Sequence, residues 1–96
     1  MTDIEMTMLC ALAIGWDAFI DGDRVLYKKT SYPEFLDYDP LHDDAHAMAL
    51  VKKFNLGIVF FSDAMWSVND RHNVSQSSSL NRAICECVAK MQSAKP

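Results

Sequence analysis

The apolar residues of this chain recur with a helical period in three stretches and alternate in several shorter ones between them. From Ile4 to Ile14 they cover most of a helical wheel, with Ile4, Met8, Leu9, Ala11, Leu12 and Ile14 all apolar. Thr2 or Asp3 can cap this helix, Glu5 suits its first turn, and Gly15 stops it. A helix apolar nearly all round must be covered on more than one side. The side carrying Ile4, Met8 and Leu12 is expected to face the core. The opposite face, Met6, Leu9, Cys10 and Ala13, is expected to form the contact of a two-fold homodimer.

Short strands follow. Residues 18–20 and 24–28 flank the turn sequence Asp21-Gly22-Asp23, and in the second strand Val25 and Tyr27 share a face. Residues 30–41 read as irregular because Pro33 and Pro40 disrupt pairing. Asp43 or Asp44 then caps a second helix to Phe54, with Ala47, Met48, Leu50, Val51 and Phe54 on its core face and Asn55 ending it. Gly57 to Phe61 is the strongest strand, and its apolar residues on both faces predict a central strand covered on both sides. Residues 65–68 form the next strand, and 72–75 a weaker one. Ser79 caps a last helix to about Gln92, whose stripe is Leu80, Ala83, Ile84, Cys87, Val88 and Met91. The predicted core is Val51, Phe54, Ile58, Phe60, Ile84, Val88 and Met91. The predicted fold is one α+β domain over residues 1–96, in the order α-β-β-α-β-β-(β)-α. Its small antiparallel sheet has four to five strands, with three helices packed on it.

Composition narrows the function. The 96 residues are 50% hydrophobic and 23% charged, an ordinary globular balance, and the net charge is −4. An acidic chain has no electrostatic grip on nucleic acid, so direct nucleic-acid binding is not expected. Neither a membrane-spanning run nor a basic leader is present, and three cysteines are an odd, small count. These features predict a cytoplasmic location without a disulfide framework.

Candidate chemistry is sparse. His42-Asp43-Asp44-Ala45-His46 has the i, i+4 histidine spacing of some zinc sites. Asp43-Asp44 equally reads as a helix cap, which would leave His42 outside the helix. Cys85 and Cys87, two apart on a helix, point to different sides. Cys87 then belongs to the core stripe, and Cys85 is expected opposite it, near Arg82 and Glu86. The glycines are too scattered for a phosphate loop. No catalytic residue, metal or cofactor is assigned. The remaining feature is acidic: Glu34, Asp37, Asp39, Asp43 and Asp44 lie between Lys29 and Lys52 with no Lys or Arg among them. Together with Tyr38 they are the candidate docking face for a basic partner, the alternative being a solvated loop and a helix cap.

Gly15-Trp16 at the end of the first helix, Tyr38-Asp39-Pro40-Leu41-His42-Asp43-Asp44-Ala45 before the second, Trp66 in a later strand and Leu80-Asn81-Arg82-Ala83-Ile84 opening the last helix form a pattern over most of the chain. It resembles small accessory proteins of temperate bacteriophages, the NinX type and the phage alpha-beta-alpha sandwich domain. That resemblance carries no assigned activity, hence no functional residue. It implies a phage or prophage gene product acting inside a bacterial host. On that basis the expected function is non-enzymatic binding of a host protein or ribonucleoprotein with a basic surface, in the manner of a host-defence inhibitor. The alternatives are a small metal-dependent enzyme using His42, His46 and the acidic loop, and an oligomeric structural accessory protein.

Overall fold

The computed structural model of the chain describes residues 1–28, 35–61 and 64–94. Three helices start where polar side chains accept the first free N–H groups. In α1 (Asp3–Ala13) the capping box is closed: the Glu5 N–H donates to Thr2 Oγ1 at 3.1 Å and Thr2 N–H reaches back to Glu5 Oε1 at 3.5 Å. Asp43 caps α2 (Asp44–Phe54), accepting from the N–H groups of Ala45 and His46. Ser79 caps α3 (Leu80–Ser93), accepting from Arg82 N–H. The helices stop as the sequence predicts. Gly15 lies past α1 at φ +79°, and Asn55 ends α2 at φ 54° in the left-handed region.

The strands form two antiparallel three-stranded sheets instead of one sheet of four to five. The first is β1 (Asp17–Asp21), β2 (Arg24–Lys28) and β3 (Leu36–Tyr38), in that order. Its hairpin turns at Gly22, φ +65°, and opposes Asp17 to Lys28 and Asp21 to Arg24. β3 lies inside the segment read as irregular and pairs Val25 with Tyr38 and Tyr27 with Leu36. The second sheet is β4 (Gly57–Phe61), β5 (Met65–Asn69) and β6 (Val74–Ser77), again in order. Gly57 opposes Asn69, and a Cβ on Gly57 would stand 2.5 Å from the Asn69 Oδ1 atom.

The contact between α1 and α3 joins the two halves. α1 packs on β1 and β2 and also on α3, while α3 packs on α2, β5 and β6. This succession of contacts matches the long extent of 44 Å against 27 and 24 Å across. At the α1–α3 contact the Cys10 thiol donates to the Cys85 carbonyl at 3.5 Å, and the small residues Cys10, Ala11, Ala83 and Cys85 on these two helices are each 0% exposed. Short side chains let two helix backbones approach closely.

That arrangement corrects the faces expected for α1. Met6 and Cys10, half of the anticipated dimer face, are buried in the core, and Leu9 and Ala13 are half-buried against it. Leu12, assigned to the core, is 44% exposed. A wheel apolar on every side carries no directional signal, so the partner helix chose the side. The same contact buries Cys85, which was expected on the outer side of α3. With the second sheet against one side of α3 and α1 against another, both Cys85 and the stripe carrying Ile84 and Val88 are covered. Met48 on α2 is exposed, contrary to its place in the predicted core face, whereas Ala47 and Leu50 are buried.

β4 departs furthest from expectation. It is an edge strand, not a central one, and Val59, Phe60 and Phe61 are 47%, 56% and 43% exposed. Phe60 leaves the predicted core, although its ring lies 4.6 Å from that of Trp66.

Burial of acidic groups sets a pH prediction. Burial pushes the Cys87 thiol up to about 11 from its ordinary 9.0, with Asp70 nearby adding to the shift. The bonded Cys10 thiol and burial also push Cys85 far above the usual range. Groups raised on folding leave stability intact below their unfolded values and remove it as pH rises through the folded ones. The melting temperature is therefore expected to fall between about pH 9 and pH 11. Near neutral pH the native protein should not react with a thiol reagent, and the unfolded one should react fully. A flat melting curve across that alkaline interval would show that the thiols are not shielded as described.

Candidate functional site

Four carboxylates from separate elements meet around one cleft. Asp3 comes from the first turn of α1, Asp23 from the β1–β2 turn, Asp37 from β3, and Asp39 from the loop before α2. The cleft encloses about 390 Å³, and Ile4, Val25 and Leu41 supply its apolar lining. Its elements are held together by the first sheet and by the cap of α2, where Asp43 N–H donates to the Asp39 carbonyl at 2.8 Å.

Two arginines already engage these acids. Arg24 bridges Asp21 at 3.4 Å and Asp37 at 3.5 Å. Arg82 reaches from α3 to Asp3 at 2.8 Å and lies 3.9 Å from Glu86. The hydrogen bond to Asp3 holds the Arg82 guanidinium above its ordinary value. All of these pairs are solvent-exposed in large part, so each contributes little to stability. Their geometry shows instead that the rim accommodates a guanidinium.

The two histidines take different tasks. His42 lies outside α2, and its Nδ1 stands 3.0 Å from both carboxylate oxygens of Asp39. The ring is exposed at the cleft mouth. His46 is partly buried, and its Nδ1 accepts the Asp39 N–H at 3.1 Å. A ring nitrogen that accepts from an amide carries no proton, so the neutral ring is protonated on Nε2. His46 thus braces the loop. The i, i+4 spacing does not turn both rings to one point, and among the described residues no three His, Cys, Asp or Glu side chains gather around a metal position. The His42–Asp39 pair has the form of a base with its orienting carboxylate. Of the two hydroxyl residues on the cleft, Thr7 donates to the Asp3 carbonyl at 2.8 Å and the Tyr38 hydroxyl is buried.

The acidic residues singled out in the sequence are distributed among three roles. Asp37 and Asp39 face the cleft. Asp43 is the α2 cap, and Asp44 accepts from Asn81 Nδ2 at 2.9 Å, tying α2 to α3. Tyr38 lies at the back of the cleft and off its open rim: it is 3% exposed, with its ring 5.4 Å from Trp16, 5.7 Å from Tyr27 and 5.1 Å from His46. Trp16 and Tyr27 stack at 4.2 Å, completing an aromatic cluster behind the cleft. Glu34 lies outside the described residues. Asp3 and Asp23 were missed because their local sequence marks them only as a cap candidate and a turn residue; β-pairing and the α1–α3 contact bring them near Asp37.

No protein-family model, curated protein or solved structure matches the chain. No helix among the described residues is long and apolar enough to cross a membrane.

Proposed function

We propose that this chain is a non-enzymatic binding protein that takes a basic segment of a protein or ribonucleoprotein partner in its acidic cleft. The observation that supports this reading is the convergence of Asp3, Asp23, Asp37 and Asp39 from four elements on one concave surface. Arg24, lying between Asp21 and Asp37, is an internal precedent for a guanidinium there. Paired carboxylates recognise guanidinium groups by charge-assisted hydrogen bonds, and clustered like charge also steers the encounter. The cleft would repel a phosphate backbone, in keeping with a protein surface rather than bare nucleic acid as the ligand.

An arginine-rich peptide titrated by fluorescence anisotropy tests the reading. Binding is expected to weaken with added salt and to fall about tenfold or more in an Asp23→Asn, Asp37→Asn double variant, the scale of one or two lost charged hydrogen bonds. Equal binding by the double variant and the parent protein would remove the cleft from the reading.

A further inference from the structure

We propose that β4 is the interface of a homodimer, in which two copies pair this strand antiparallel about a two-fold axis at Val59. The two second sheets then become one sheet of six strands. Unpaired strand edges are templates for further pairing, and proteins blunt them with charges, short length or covering groups.

Among the described residues, three of the four sheet edges are blunted. β1 carries Asp17 and Asp21 at its two ends. A two-fold pairing centred on Phe19 would set Asp17 of one copy against Asp21 of the other, twice over, and directly opposed like charges disfavour pairing. β3 has only three residues, with Asp37 at its centre. β6 is polar apart from Val74, and Lys90 from α3 donates to the Val74 carbonyl at 2.8 Å. β4, Gly57-Ile58-Val59-Phe60-Phe61, has no charge, no proline and no covering group among the described residues, and its apolar side chains are exposed on both faces.

Its sequence also suits a copy of itself. Centred on Val59, the pairing sets Ile58 against Phe60 on one face. On the other it sets Val59 against Val59 and Gly57 against Phe61. The β5 register places Ile58 and Phe60 on the face shared with Val68 and Trp66, so the six-stranded sheet keeps one consistent inner face. Aromatic and β-branched residues directly opposed are favourable cross-strand pairs. The uncharged strand also lets two copies of net charge −4 meet where repulsion is least.

Area sets the strength. At 56% and 43% exposure, Phe60 and Phe61 together offer about 200 Å² of ring surface. Val59 and half-buried Ile58 bring each copy to about 300 Å², below the usual size of a permanent interface. The main-chain hydrogen bonds of the joined edges add to this. The expected dimer is reversible and dissociates in the micromolar range.

Sedimentation across micromolar to sub-millimolar concentrations reads the outcome. The mass should rise from the 10.9 kDa of one chain to that of two and stop. Added salt should not weaken the pairing, which separates it from docking at the acidic cleft. Val59→Lys sets two like charges face to face and should hold the protein monomeric with an unchanged circular dichroism spectrum, while Ile20→Lys on β1 should leave the dimer intact. Val59→Cys should cross-link under mild oxidation, since position 59 meets itself and the native cysteines are buried; Phe60→Cys should not. A chain monomeric at every concentration would overturn the proposal. So would growth past two copies, dissociation by Ile20→Lys alone, or equal cross-linking of both cysteine variants.

Discussion

Replacing Ile84 with Ala is expected to lower the unfolding free energy by about 2–5 kcal/mol, the range for a deleted aliphatic side chain in a closed core. Ile84 is fully buried on α3, the helix that contacts the second sheet, α1 and α2. A cavity there cannot be relieved by movement of one layer alone. Small domains hold only about 5–15 kcal/mol in total, so the loss removes a large fraction of the stability. For a chain of this length each kcal/mol shifts the melting temperature by about 4–8 °C, which places the variant roughly 10 °C or more below the parent. Thermal unfolding followed by circular dichroism measures it. Leu12→Ala is the control: at 44% exposure it should change stability by no more than about 0.5 kcal/mol. Equal losses in the two variants would mean that α1 buries the face first read from the sequence.

The second large effect separates the ring of Tyr38 from its hydroxyl. Tyr38→Ala is expected to cost about 3–5 kcal/mol, because the ring fills the space among Trp16, Tyr27 and His46. Tyr38→Phe should do the opposite and stabilise by about 1 kcal/mol. The hydroxyl is buried without a hydrogen-bond partner among the described residues, and its burial pushes the phenol far above its ordinary value. Removing a polar group that was desolvated for no bond relieves a penalty. Chemical denaturation of both variants checks the pair. A destabilised Tyr38→Phe protein would reveal a partner for the hydroxyl and make the side chain part of a polar network.

These two residues also show where sequence reading succeeds. Ile84 was legible because α3 alternates a clean apolar stripe with polar residues, and a stripe of that kind can be buried in only one way. Tyr38 was misplaced because it sits between Asp37 and Asp39. Alternation of side chains along β3 turns it inward while its two acidic neighbours stay nearer the surface. The acidic cleft was half legible for the same reason. Asp37 and Asp39 belonged to a visible run, but Asp43 and Asp44 in that run serve the helix end and the α2–α3 tie. Asp3 and Asp23 complete the cleft from far along the chain.

The sequence by itself determined the local backbone: a cap at Thr2 or Asp3, one at Asp43 or Asp44 and one at Ser79, the stops at Gly15 and Asn55, the hairpin at Gly22 and the approximate span of every helix. Those features depend on interactions between residues within four positions of one another. Tertiary structure alone decided which side of α1 is buried, that Cys85 is enclosed, that the strands divide into two sheets and that β4 lies at an edge. An apolar residue encodes a need to be covered but not the identity of what covers it. That choice is made by contacts between elements distant in sequence, and in β4 the described elements leave the need unmet.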